Sequence, residues 1–240
     1  MHPPTGLFSH GKETGKSPEG HAASFRHDFL HMPVNLHQYE HQIVQIHDRS
    51  GRIFTGIPDS FPPEYGLHEF GRDEESLRLG INQIFESDIA GIGVLPDMKI
   101  LRAVELWQQA GAYYVRIQAM AKKHHITLRQ EFDMHDTPET KYIVITDRDF
   151  PIATARMYPL DHERVMIGRV VVLPEYRHQG IGSMTVLACE SWAAELGFTL
   201  AVLESRDNKT GFYEQLGYEI CAESEQGETF RCIRMEKELI

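Results

Sequence analysis

The chain has 240 residues, enough for one large domain or a medium domain beside a small one, and its 41 % apolar and 25 % charged content fits a protein with a buried core. A formal net charge of −11 speaks against a nucleic-acid partner, which needs clustered Lys and Arg, and suits a cationic ligand as well as plain solubility. Three cysteines (Cys189, Cys221, Cys232) without metal-ligand spacing, no apolar run near ~20 residues and no basic-then-apolar leader point to a reduced, cytoplasmic protein away from membranes.

Residues 1–32 carry Pro3, Pro4, Pro18 and irregularly spaced His2, His10, His21, His27 and His31, with no helical or strand period. A disordered leader is expected, and the irregular spacing argues against a metal site. Met32, followed by Pro33, is an alternative start to Met1.

Residues 33–97 read as short strands. His41 to His47 is β-rich, Asp48-Arg49-Ser50-Gly51 supplies a hairpin turn, and Arg52 to Ile57 continues as the partner. A longer loop with Pro62-Pro63 follows, then strands at Ser76–Leu79, Gln83–Ser87 and Ile89–Leu95. This strand spacing predicts a small all-β barrel, and the run IVQIHDRSGRIFTGI resembles Sm-like or SH3-like barrels. Such barrels often bind RNA, but eleven Asp and Glu face four Lys and Arg between Leu36 and Met98. That balance repels phosphate, so protein contact or self-assembly is the expected role.

Residues 98–240 alternate between strands and helices. Met98–Val104 is a strand, and Trp107 to about Lys123 a helix with Ala110, Tyr114, Ile117 and Ala121 on one face. Lys141–Thr146 and Ile152–Tyr158 are strands joined through Asp147-Arg148-Asp149, and Val165–Leu173 is an apolar strand suited to the centre of a sheet. A helix from about Gly180 to Leu196 stops at Gly197. A strand (Thr199–Glu204), a helix (about Lys209–Leu216) and two strands (Tyr218–Ala222, Thr229–Lys237) finish the chain.

The chemistry concentrates in VVVLPEYRHQGIGS, Val170 to Ser183. A strand ends at Pro174, and Arg177-His178-Gln179-Gly180-Ile181-Gly182 leads into a helix. Gly180 and Gly182 leave backbone open to a bulky anion, and the unpartnered amides and dipole of a helix start favour negative charge. The R-x-x-G-x-G turn, its preceding strand and following helix, and the downstream NKTGFYEQLGY (Asn208 to Tyr218) together resemble the GNAT acetyltransferases. The resemblance implies an α+β fold, the GNAT acyl-CoA N-acyltransferase fold, with a mixed central sheet flanked by helices, preceded here by the small all-β barrel domain.

It implies further that acetyl-CoA is the co-substrate, its diphosphate held by Arg177, His178, Gln179, Gly180, Ile181, Gly182 and Ser183. Backbone groups at Val171, Val172 and Leu173 would serve the pantetheine arm, one amide polarising the thioester carbonyl. Tyr213 is the candidate general acid for the leaving thiolate, or a residue that packs against the cofactor. Asn208 either contacts the cofactor or caps the following helix. The acceptor is expected to be a primary amine of a small molecule or peptide. An amine like that of lysine, which titrates near ~10.4, must lose a proton before attack. Glu131, Asp133, Asp136 and Glu204 are candidates for that base, with His135 and His178 as conceivable shuttles. QEFDMHDTPETKYIVI also resembles a GNAT subgroup carrying EFD-x-x-D, where the acids equally well order a loop. No cysteine sits in a nucleophile setting, which favours direct attack. The competing reading is a non-catalytic acetyl-CoA sensor or assembly module; the chain could also form a homo-oligomer through exposed sheet edges.

Overall fold

The computed structural model describes residues 35–223 and 232–239. The leader histidines and the alternative start at Met32 lie outside the described residues, which belong to one compact unit.

The first stretch holds β1 (Val44–Asp48), β2 (Ile53–Gly56), β3 (Asp59–Phe61), α1 (Pro63–Phe70), β4 (Ser76–Leu79), β5 (Asn82–Phe85) and β6 (Ile89–Val94). They form two antiparallel three-stranded sheets, β2-β1-β6 and β3-β4-β5. Leu36, Val44, Ile46, Leu77, Leu79 and Ile84 are their shared core. The segment expected as a loop after Pro62 is instead helical. Pro63 occupies the first turn, where its missing N–H costs nothing, and Gly71 at φ 71° ends the helix.

The second stretch begins with β7 (Met98–Arg102) and α2 (Leu106–Arg116), which runs through a π-turn at Ile117–Ala121 into α3 (Lys122–His124). After α4 (Leu128–Glu131) come β8 (Lys141–Asp147), β9 (Phe150–Pro159), β10 (Arg164–Val172), α5 (Ile181–Glu195), β11 (Leu200–Arg206), α6 (Thr210–Glu214), β12 (Glu219–Glu223) and β13 (Cys232–Glu238). One seven-stranded sheet takes the order β12-β13-β11-β10-β9-β8-β7. Only β10 and β11 pair in parallel, so the sheet is mixed, as expected.

α5 buries Ile181, Met184, Cys189 and Ala193 against one face of this sheet, where Ala153, Ala155, Met157, Ile167 and Leu203 meet them. α2 covers the other face, with Val115 and Ala119 on Val171 and Leu173. Its inward stripe is Gln108, Gly111, Ala112, Val115 and Arg116, continued by Ala119 in the π-turn; of the expected stripe Ala121 is buried, but Ala110 and Tyr114 are exposed. The helix is rotated because Arg116 turns inward to buried carboxylates. α5 ends as expected: Gly197 adopts φ 91°, and its N–H and that of Phe198 close on Ala194 and Ala193.

Candidate active site

β10 and β11 pair only from Arg164↔Leu200 to Met166↔Val202. Beyond that point β11 stays with β13 as far as Arg206↔Cys232, while β10 stays with β9. The two central strands therefore part and leave a cleft. The separation coincides with a bulge in β10 between Gly168 and Val171, where Arg169 sits at φ 51°.

Backbone phase decides what β10 offers to this cleft. The Leu173 amide donates to the Ile152 carbonyl (2.9 Å), so Leu173 and, two residues back, Val171 direct their backbone toward β9. Val172 directs its N–H and C=O toward the cleft, and its carbonyl accepts from Arg177 Nε at 2.9 Å. Of the three expected backbone contacts, Val172 alone faces the opening. Arg177 folds back on the strand end instead of standing free.

The turn continues through exposed His178 (φ 61°) and Gln179 to Gly180 (φ 76°), which precedes α5. The Met184 amide bonds to the Gly180 carbonyl, while the amides of Ile181, Gly182 and Ser183 have no partner among the described residues. No acidic side chain stands in the first turn of α5. Open donors at the positive end of a fifteen-residue helix make a cradle that fits a diphosphate.

The two glycines have different reasons to be there. A Cβ on Gly180 would meet the Thr55 amide nitrogen at 2.6 Å and Phe54 C at 3.1 Å, so β2, not a ligand, excludes a side chain. A Cβ on Gly182 would touch Phe212 at 3.5 Å and Val172 Cγ2 at 3.8 Å, both ordinary contacts. Gly180→Ala is therefore expected to cost at least ~2 kcal/mol of stability in denaturant melts, combining left-handed strain with backbone overlap. Gly182→Ala should melt like the parent to within about 1 kcal/mol, because alanine suits a helix better than glycine.

Phe212 joins this first turn to Tyr213, with the two rings at 4.9 Å. The half-buried Tyr213 packs toward Tyr218 (5.9 Å), and its hydroxyl has no hydrogen-bond partner among the described residues. Burial pushes its phenol up to about 12, so the ring keeps its proton. Asn208 is exposed and its side chain caps nothing, since α6 has no side-chain cap bond. Glu204 lies two residues past the last β10–β11 pair, exposed, with no cationic partner among the described residues.

Glu131 is placed differently. It is 1 % exposed and receives Arg116 Nε at 2.7 Å, while the equally buried Arg116 also binds Asp136 and the Glu131 carbonyl. Arg156 bonds to Asp133 (2.7 Å) and Asp136 (2.9 Å), and Arg169 to Asp133 (3.0 Å). Burial pushes the Asp136 carboxyl up, but the bonds from Arg116 and Tyr142 outweigh it and hold the group well below the usual carboxylate range. Asp133 is lowered too: Arg156 and the His135 amide overcome its burial. Three arginines thus neutralise three carboxylates, and the EFD-x-x-D run orders a loop. His135 stacks on Tyr158 at 4.2 Å, and the wholly buried Cys189 has its thiol pushed up by burial.

Sequence reasoning missed Arg116, Arg156 and Arg169, and it missed Thr55 and Gln45, which reach the Gln179 carbonyl. A signal for Arg116 existed: it lies one turn from Ala112 and Ala119 on the face that turns inward. Nothing local marks Thr55, which lies 124 residues from Gln179.

Residues 103–218 match the acetyltransferase (GNAT) family. The uncharacterized N-acetyltransferase YjcF of Bacillus subtilis is 28 % identical over 128 residues, which cover 53 % of this chain and 90 % of that protein. The crystal structure of a protein assigned as an N-acetyltransferase from Lactobacillus plantarum aligns at TM-score 0.57 and 30 % identity, over 60 % of this chain and 99 % of that one. An acyl-CoA N-acyltransferase from Pseudomonas aeruginosa, 20 % identical, shares the fold over 59 % of this chain and 98 % of its own (TM-score 0.52). The parted strands, the open helix start and these likenesses agree: the chain belongs to the GNAT family of acetyltransferases, whose co-substrate is acetyl-CoA.

Proposed function

We propose that the protein moves the acetyl group of acetyl-CoA to a primary amine of a small molecule or peptide by direct attack, with no acyl-enzyme. What carries this reading is the β10–β11 cleft, toward which Val172 turns its backbone beside the open first turn of α5, with Phe212 against that turn and Tyr213 against Phe212. Acetyl-CoA supplies an acetyl group already activated as a thioester. The amides of Ile181, Gly182 and Ser183 hold its diphosphate, and the Val172 N–H is a fixed donor for the arm or its carbonyl. Tyr213 gives a proton to the departing sulfur.

Glu204 takes the proton from the amine, directly or through water. Glu131, Asp133 and Asp136 are poor bases here, because each is already bonded to arginine. The net charge of −11 favours a cationic acceptor. Residues 33–97 are read as a small β-barrel domain. In support, the first strand, β1, pairs with the last, β6, and only Ile57 and Pro58 separate β2 from β3, which links the two small sheets.

The test is acetyl-CoA consumption, followed by thiol release and by mass spectrometry of the product, against polyamines, aminoglycosides and peptides. Acetylated amine is the expected product. Tight acetyl-CoA binding with no turnover of any amine would sink the catalytic reading and favour a sensor.

A further inference from the structure

The conformation of the diphosphate turn is fixed from outside the seven-stranded sheet. Thr55 on β2 donates its Oγ1 hydrogen to the Gln179 carbonyl at 2.5 Å, and Gln45 on β1 donates through Nε2 to the same oxygen at 3.3 Å. The two residues are cross-strand neighbours in register, 2 % and 8 % exposed, and His47 Nε2 lies 3.0 Å from Gln45 Oε1. Among the described residues the Gln179 carbonyl has no other partner. The Gln179 side chain is turned away, to the Glu175 carbonyl.

The C=O and N–H of a trans peptide point in opposite directions. With the Gln179 oxygen held on β2, the Gly180 N–H points away from β2. The negative end of that peptide dipole is therefore kept off the face where the anion sits. The contact is close enough that β2 admits no side chain at Gly180. A second contact steadies the same arrangement. The β4–β5 hairpin rests on α5, where a Cβ on Gly80 would meet Leu187 Cδ2 at 2.7 Å.

We propose that Thr55, assisted by Gln45, is a positioning residue for acetyl-CoA, and that the β1–β2 pair sets the turn in its anion-binding conformation. The proposal rests on the reading of Gly180–Ser183 as the diphosphate site. A methyl cannot approach the Gln179 oxygen as closely as a hydroxyl, so Thr55→Val both removes the bond and displaces the turn, whereas Thr55→Ser keeps the donor.

The experiment compares the dissociation constants of acetyl-CoA and of S-acetyl-pantetheine, which lacks the diphosphate, for the full chain and both variants. Thr55→Val is expected to weaken acetyl-CoA about five- to tenfold, the loss of roughly one hydrogen bond's worth of preorganisation, and to leave S-acetyl-pantetheine unchanged. Thr55→Ser should return acetyl-CoA to within about twofold of the parent, since it restores the hydroxyl donor. If the parent binds both compounds equally, the diphosphate reading itself fails. If the parent discriminates but Thr55→Val keeps the parent's ratio, or weakens both compounds alike, the positioning role of Thr55 is overturned while the site reading stands.

Discussion

Tyr213→Phe is expected to lower kcat by about 10²- to 10³-fold with the KM for acetyl-CoA changed no more than about twofold, the range general-acid catalysis supplies. The substitution keeps the ring and its contacts with Phe212 and Tyr218, so cofactor packing survives and only the proton donor is lost. The pH profile adds a second check. Because burial lifts the phenol to about 12, Tyr213 remains a donor across the neutral and mildly alkaline range. Activity should rise with pH as the acceptor amine deprotonates, without a falling limb below about pH 10. Equal kcat for the parent and Tyr213→Phe would assign the ring to packing alone.

Arg116→Met is expected to destabilise the fold by about 3–5 kcal/mol, read from denaturant titrations, because it takes from the buried Glu131 carboxylate its close partner and from Asp136 one of its two arginines. Arg116 is fully buried, lies 4.3 Å from the Phe132 ring centre, and serves both Glu131 and Asp136. Arg116→Lys should recover only part of the loss, since a lysine cannot fork between two carboxylates. The same cluster predicts acid sensitivity. Asp136 titrates lower in the folded chain than in the unfolded one, so its stabilisation is complete above the unfolded value of ~3.9 and fades as pH falls toward the folded value. Asp48 follows the same sign: although burial raises it, bonds from Ser50 and Arg52 bring it down to about 2. The melting temperature should be flat down to about pH 5 and fall below about pH 4. A melting temperature unchanged between pH 5 and 3 would contradict the role given to these groups.

Local patterning made much of the second stretch legible. β8, β9 and β10 were readable from apolar runs and alternation, and the end of α5 from Gly197. The turn from Arg177 to Gly182 was readable as a strand-to-helix connection because an apolar strand, two glycines and a helix follow one another; its role toward a diphosphate came from the family resemblance. What escaped was long-range or compensated. Counting apolar residues put Tyr114 inside α2, because no count assigns Arg116 to an interior until its carboxylate partners are known. Pro62-Pro63 suggested a loop, although a proline in a first turn suits a helix equally well. Glu131 carried the right chemistry for a base, but its neighbour in space had already claimed it. Gly180 was singled out as leaving room for an anion, whereas in the structure it is β2 that crowds it.

The placement of residues 35–97 has one more consequence. The Lactobacillus plantarum protein is matched over 99 % of its length by 60 % of this chain, so its fold stands without a counterpart to much of the rest. Here Gly80 against Leu187, Ile81 against Gly217, and β2 against Gly180 join the two stretches by close contacts. A shortened version starting at Met98 would carry raw apolar surface on α5 and an untethered loop where its donor molecule should land. Calorimetry of the intact chain should accordingly record one heat-absorption peak, the two stretches melting together as a single cooperative body.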